Sequence, residues 1–261
     1  MNEIIEYWDK AVCEAWHGDA PVGSALWSEQ VTRHRYFVQP HILEFAEFRR
    51  WEGKSVLEIG CGIGTDTKKF MNAGAKVWAV DSSEKSIEIA DLRCPKAMFY
   101  CQDAEEWLPY GPFDLIWSFG VLHHTPHPEK VLKLAARRLK PDGELRIMLY
   151  AKWSLKHLLG TQPEALAGCP LVKWYSEREA RRLVESCGFE VVSVRKRHIF
   201  PWKIREYREH RFVKAFPWNI VRETWFESLL GHHLLLVARR SPLPRTPASG
   251  MTPLSATGAT L

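Results

Sequence analysis

No C-x-x-C pair occurs among the six cysteines of this 261-residue chain, which removes the usual zinc spacing and a disulfide framework. No stretch of 18 residues is free of charge, so no transmembrane helix is expected. The opening Met1-Asn2-Glu3-Ile4-Ile5-Glu6 has acids and no apolar secretion core. Internal repeats are lacking too. With 46% apolar and 26% charged residues, the composition excludes a collagen or coiled-coil repeat and a disordered chain. These absences lead to the expectation of a reduced, cytoplasmic protein. A chain of this length buries roughly three quarters of its unfolded surface, which suits one α/β domain with additions.

What is abundant is tryptophan, 12 residues spread over all parts of the chain. The net charge of +5 is unevenly placed. Between Arg195 and Arg240 there are eleven Lys/Arg against four Asp/Glu, a bias that suits an anionic small molecule, a nucleic acid or an acidic partner.

Residues 1–50 read as an N-terminal helical cap. Ile4, Ile5, Trp8, Val12 and Trp16 share one helical stripe, the glycines and proline of 18–23 break it, and an aromatic, basic segment runs from Trp27 to Tyr36. A second helix is expected over His41–Arg50. From Ser55 the pattern becomes strand, loop, helix, repeated. Strands are expected at 55–59, 76–80 ending in Asp81, 97–101, 113–118, 144–149, 189–194 and 233–238. Ser82 or Ser83 caps one intervening helix, Pro128 starts another, and Ser176-x-x-Glu179 has the capping-box spacing. Lys140-Pro141-Asp142-Gly143 is a turn. Strands alternating with helices imply a doubly wound, mostly parallel seven-stranded sheet covered on both faces, over residues 51–240. Insertions are expected at about 151–175 and 200–228, and a disordered Pro/Ser/Thr tail over 241–261.

The strongest local signal is Glu58-Ile59-Gly60-Cys61-Gly62-Ile63-Gly64-Thr65. Glycines at every second position, between a strand and a helix, permit a tight turn and close approach of a ligand to the backbone. Thr65 stands where the dinucleotide fingerprint G-x-G-x-x-G needs its last glycine, so this is a different loop. Singly, Glu58 reads as a loop-stabilising acid, and Asp81 and Asp103 as helix caps.

Taken together, residues 55–240 resemble the class I S-adenosylmethionine (SAM) dependent methyltransferases. Their acid-x-G-x-G-x-G motif is matched in full. Asp81 matches the acid that ends the next strand and, by resemblance, binds both ribose hydroxyls. Gln102-Asp103-Ala104 matches the third motif, whose acid meets the adenine amino group. Phe113 to His124 resembles the stretch beside the methionine half, and Leu139 to Leu145 the turn before strand five. The resemblance implies a cofactor site of Glu58, Gly60, Cys61, Gly62, Gly64, Asp81, Ser82, Asp103, Ala104 and Phe119, with S-adenosylhomocysteine (SAH) as product. SAM carries no phosphate, and no basic P-loop is present. Its ammonium, diol and amine are donors, matched by three acids at strand ends.

Methyl transfer from a sulfonium needs alignment and exclusion of water, and a base only where the nucleophile sheds its proton early. His123 or His124 would fill that role, near the reference pKa of about 6.5. The alternative is that one packs and the other caps the helix at Pro128. His123, His124 and His127 lie on a loop without the acids that complete a metal set, so no metal is expected. Substrate choice is assigned to the added parts. Trp27, Arg33, His34 and Tyr36 represent the cap, and Tyr150 the end of strand five. Trp153, Lys156, His157, Trp174 and Tyr175 represent the first insertion, and Trp202, Arg205, Tyr207, Arg208 and Arg211 the second. Such a lining suits a small aromatic or acidic metabolite methylated on oxygen or nitrogen, less so carbon. RNA or protein methylation through the basic section is the rival, and a non-catalytic SAM-binding subunit the third reading. No feature specifies an oligomeric state.

Overall fold

The computed structural model describes residues 2–158, 168–198 and 225–241. Trp202, Arg205, Tyr207, Arg208, Arg211 and the tail beyond Ser241 lie outside the described residues.

The apolar runs become strands β1 (Ser55–Ile59), β2 (Lys76–Asp81), β3 (Met98–Cys101), β4 (Phe113–Phe119), β5 (Leu139–Ala151), β7 (Phe189–Arg197) and β8 (His233–Arg240), with a short β6 (Trp174–Tyr175) between β5 and β7. The sheet order is β3-β2-β1-β4-β5-β8-β7, with β6 paired to β5 off this path. The first five strands are mutually parallel, whereas β8 runs antiparallel to both β5 and β7. The expected mostly parallel seven-strand sheet is therefore present, with β6 as an unforeseen addition inside the first insertion. β5 also starts earlier than expected. Leu139 already pairs with Phe113, and a register shift absorbs the Pro-Asp-Gly turn before Glu144 pairs with Leu115.

Successive strand residues face opposite sides of the pleat, and each side has its own core. Leu57, Ile116 and Ile147 join Val131, Leu132 and Val184 of helices α6 (Pro128–Arg138) and α8 (Glu177–Glu185). Val56, Leu115 and Trp117 join Phe70 of α4 (Thr65–Asn72) on the other side. Ser176 caps α8 as its sequence foretells: Ser176 Oγ accepts from Glu179 N at 3.3 Å, and Ser176 N donates to Glu179 Oε2 at 2.8 Å.

The first 50 residues do not behave as one cap. Their helices are α1 (Asn2–Lys10), α2 (Ala25–Val38) and α3 (His41–Ala46). The second half belongs to the sheet, because Ile42, Ala46, Phe48 and Trp51 enter the core with Val56 and Trp117. Glu47 ends α3 early by adopting a left-handed backbone, φ 49°. Its carboxylate accepts from Arg146 of β5, and Arg50 donates to Glu144 Oε1 at 2.7 Å. The first half, together with Arg35 of α2, lies over the carboxyl ends of the strands. There Asp9 accepts from Ser83 Oγ and Lys85 N, at 3.0 and 3.2 Å, tying α1 to the start of α5 (Glu84–Arg93).

Candidate active site

In an open parallel sheet a crevice forms outside the carboxyl ends of the strands, where the strand order reverses. Here that point lies between β1 and β4. A cavity of 170 Å³ occupies it. Its wall follows the sheet edge, from Gln102, Asp103 and Ala104 after β3, through Asp81 and Ser82 at β2, to Glu58, Gly60, Cys61 and Gly62 at β1. It ends at Phe119, Gly120, Val121 and His124 after β4. Ile4, Ile5, Trp8, Cys13 and Glu14 close it from the N-terminal side.

The glycines do different work. At Gly60 the backbone has φ 72°, and a Cβ would stand 2.2 Å from Val121 Cγ2. Gly62 has φ 50°, and a Cβ there would meet nothing within 4 Å, since it would project into the cavity that Gly62 lines. Gly64 is absent from the wall. It precedes α4, where a Cβ would press on Ala90 at 3.1 Å.

Glu58 is buried, and Thr67 Oγ1 donates to its Oε2. Burial holds this carboxyl well above the usual range, and Asp66 adds to the effect, against the Thr67 hydrogen bond and Arg35. Asp81 accepts from Gly62 N at 2.7 Å and Ser83 N at 2.9 Å, so it shapes the glycine loop from the neighbouring strand. Burial raises its pKa against these backbone donors. Asp103 accepts from Glu105 N at 2.9 Å.

Sequence reasoning missed Arg35, Asp66 and Glu14. Asp66, in the first turn of α4, binds Arg35 through both oxygens, at 3.0 and 2.7 Å, and also accepts from Tyr36 Oη and Trp117 Nε1. Glu14 accepts from Arg35 on the other side. Burial opposes the Arg35 charge, and the two carboxylates outweigh it. Among the described residues, Arg35 is the one Lys or Arg on the cavity wall.

The expected cap residues are corrected accordingly. Arg33 is exposed on the outer side of α2. Trp27 is fully buried apart from the cavity, its Nε1 donating to Ala15 O and its ring beneath the Arg93 guanidinium. His34 stacks on His17 at 4.0 Å. Tyr36 stands behind the wall, on Asp66. Trp153 is exposed.

The expected near-neutral histidine pKa is corrected too. His123 is fully buried and lies well below its usual range, through burial and the neighbouring His124. Burial lowers His124 to about 4, against its hydrogen bond to Leu171. Only His124 reaches the cavity wall. Behind it the Tyr150 ring lies 3.7 Å from His123 and 4.3 Å from His232. Trp174 follows at 5.4 Å from Tyr150, with His157 4.7 Å beyond and Tyr175 next in β6. Lys156, in the short α7 (Leu155–Leu158), is buried, which lowers it to about 8.

A doubly wound sheet with acids at three successive strand ends and a glycine loop at the switch point defines a Rossmann-like cofactor-binding domain. A family model described as a methyltransferase domain matches residues 31–194. The chain belongs to that family, and with this sheet order it is a class I SAM-dependent methyltransferase. Over 183 residues it is 26% identical to a ubiquinone biosynthesis O-methyltransferase of Coxiella burnetii, covering 64% of this chain and 77% of the relative. A protein of the same description from Aromatoleum aromaticum is 27% identical over 157 residues, 54% of this chain and 66% of the relative. The chain thus spans about two thirds to three quarters of these relatives. The fold is similar to that of magnesium protoporphyrin IX methyltransferase from Synechocystis with bound SAM. That match is 17% identical, with a TM-score of 0.57 over 92% of this chain and 96% of the other. Among the described residues, no helix is long and apolar enough to cross a membrane.

Proposed function

We propose that this protein transfers the methyl group of SAM to an oxygen or nitrogen of a small aromatic or acidic metabolite. The observation that carries the reading is the order of groups along the cavity. Acceptors stand at the ends of β3, β2 and β1, one cation faces them from α2, and Gly62 leaves room against the backbone. SAM offers an amine, a diol and an ammonium as donors, and one carboxylate as acceptor. Asp103 would take the amine, Asp81 the diol, Glu58 and the backbone of Gly60 and Gly62 the amino-acid end, and Arg35 the carboxylate. When bound, SAM supplies an electrophilic methyl group on a sulfonium, whose positive charge disappears on transfer.

The chain's own part is alignment and dryness. Ile4, Ile5 and Trp8 close an apolar roof over the cavity, which excludes water that would compete for position at the reacting carbon. The names of the curated relatives support oxygen as the accepting atom.

The nucleic-acid alternative needs free cations. Of the described basic residues, Arg195 pairs with Glu44, Lys196 donates to Trp153 O and Leu229 O, Arg197 pairs with Glu227, and Arg239 with Glu144. Four of the five described cations of that section are thus engaged by the chain's own groups, which supports a small acceptor. The experiment is transfer of radiolabelled methyl from SAM into a host-cell extract, fractionated by size, with and without nuclease, beside calorimetric SAH binding. Label in the small-molecule fraction is expected. Nuclease-sensitive label in the large fraction would replace this reading, and SAH binding with no label in any extract would favour a non-catalytic subunit.

A further inference from the structure

The carboxylate of Asp9 stands at the wrong end of its own helix. It falls in the last turn of α1, where the partial negative charge of the exposed carbonyls disfavours an acid. Its partners explain the place, because they belong to the start of α5, where that field is reversed. Asp9 Oδ1 accepts from Ser83 Oγ at 3.0 Å and from Lys85 N at 3.2 Å, and the Lys85 ammonium lies 4.0 Å from Oδ2. The Lys85 N–H, with Ser83 and the Lys85 charge, holds this carboxyl below the usual carboxylate range against slight burial. It is therefore charged at neutral pH. Ser83 is the junction. Its Oγ also accepts from Ser86 N at 3.1 Å, capping α5, and its own N–H donates to Asp81 Oδ1 at 2.9 Å. Asp81 Oδ2 accepts in turn from Gly62 N at 2.7 Å. A line of hydrogen bonds thus runs from α1 through Asp9, Ser83 and Asp81 to the glycine loop.

The other end of this segment is fixed. Glu14 has a left-handed backbone, φ 67°, a conformation that a residue other than glycine keeps only when its surroundings hold it. Here its carboxylate accepts from Arg35, which Asp66 grips from the far side. Between this fixed point and Asp9 lie Lys10 to Cys13. The inner side of α1 gives Ile4, Ile5 and Trp8 to the cavity, with Trp8 edge-on to His124 at 5.0 Å. The opposite wall is made of strand ends and the loops that join them. The side that opens without breaking a strand pair is therefore α1.

We propose that α1 is a lid over the cofactor, with Glu14 as its fixed end and Asp9 as the latch that closes it onto the turn carrying Asp81, so that this latch sets how fast SAH leaves. This rests on the methyltransferase reading above and deepens it. Asp9 is a positioning residue, since it acts through α1 and is not on the cavity wall. Opening exchanges its bonds to Ser83 and Lys85 for bonds to water and swings Ile4, Ile5 and Trp8 off the site. A diol held by Asp81 steadies the carboxylate that also receives Ser83 N, and Ser83 Oγ with it. Ligand and latch then support one another, and by linkage each tightens the other equally.

The test uses the full chain, tritiated SAH and trypsin. In the wild type, SAH is expected to slow cleavage after Lys10, at the exposed end of α1, because cleavage there follows the open population. In a chase with unlabelled SAH, Asp9→Ala is expected to release the label about tenfold faster, as for one charge-assisted hydrogen bond discounted for exposure. It should also lose most of the protection at Lys10. Asp9→Asn keeps an acceptor oxygen without the charge, and its release rate should fall between the two. Because α1 lies outside the cores on both sides of the sheet, the ligand-free variants should melt as the wild type does. A lowered ligand-free melting point with an unchanged release rate would make Asp9 a structural tie only and overturn the proposal. Equal release rates in all three chains, or cleavage after Lys10 in the wild type that SAH does not slow, would overturn it too. Failure of the wild-type chain to bind SAH is a different result and would defeat the methyltransferase reading itself.

Discussion

Arg35 and Asp66 form a two-pronged ion pair, Nε to Oδ1 at 3.0 Å and Nη2 to Oδ2 at 2.7 Å, that joins α2 to the first turn of α4. The same carboxylate accepts from Tyr36 Oη and Trp117 Nε1. One buried acid therefore sets the cavity's cation, anchors the N-terminal helices and satisfies a core tryptophan.

Asp66→Ala leaves the Trp117 indole N–H unpaired, the Arg35 guanidinium with Glu14 alone and Tyr36 Oη with only Thr65 O at 3.5 Å. Removing one partner of a buried pair costs about 3–5 kcal/mol, and urea denaturation should show a loss of that order. A loss under about 1 kcal/mol would mean that Glu14 alone suffices to hold Arg35.

Two glycines two positions apart should respond differently. Gly62→Ala places a methyl in the cavity at φ 50°, so SAH affinity should fall at least tenfold, with a stability cost of about 1–2 kcal/mol for the left-handed backbone. Gly60→Ala drives its methyl into Val121 and should abolish the native fold. Circular dichroism and calorimetry on both variants separate a ligand effect from a folding one.

Asp81→Ala removes the acceptor assigned to the ribose diol and also leaves Gly62 N and Ser83 N unpaired. Charged hydrogen bonds are worth about 1.5–3 kcal/mol, so SAH should bind roughly 10- to 150-fold more weakly. Unchanged affinity would remove Asp81 from the cofactor site.

Stability should fall on the acid side. His123, His124, His232 and His233 are all held below the usual histidine range, chiefly by burial. Their folded forms take up a proton less readily than the unfolded chain does. Stability is therefore full above about pH 7 and declines as pH falls from about 6.5, toward about 4 for His124. At pH 5 that residue alone accounts for about 2 kcal/mol. Urea midpoints at pH 7.5 and 5.0 provide the measurement, and equal stabilities would contradict the buried neutral rings.

The strands were legible because parallel strands covered on both faces must be written as short apolar runs, as in Val56-Leu57 and Leu115-Ile116-Trp117. The glycine loop is legible from its spacing, and the acids after it through the family resemblance. The cap was read less well, and α2 shows why. Read as an aromatic and basic segment, residues 27–36 offer Arg33 and give no reason to choose Arg35. Helical spacing puts Trp27, Val31 and Arg35 on one face at successive intervals of four, and leaves Arg33 on the other. For His123 and His124 the sequence had no means to choose. Neighbours in one tight turn point different ways, and what separates them is a carbonyl 47 residues further along the chain.

β7 touches the rest of the sheet through β8 alone, and β8 lies between it and β5. In order of synthesis, the half of the sheet that carries the glycine loop and its acids is finished while β8 has yet to be made. Chains beyond about 150 residues populate partly structured intermediates, so the cofactor half can settle before β8 docks. The half behind His124 must wait. Tyr150 finds His232 and His233 only when β8 docks, and β7, made earlier, has no edge to join until then. A nascent chain would thus hold a formed glycine loop beside an unfinished wall, and β8, the last of the described strands, would complete that wall.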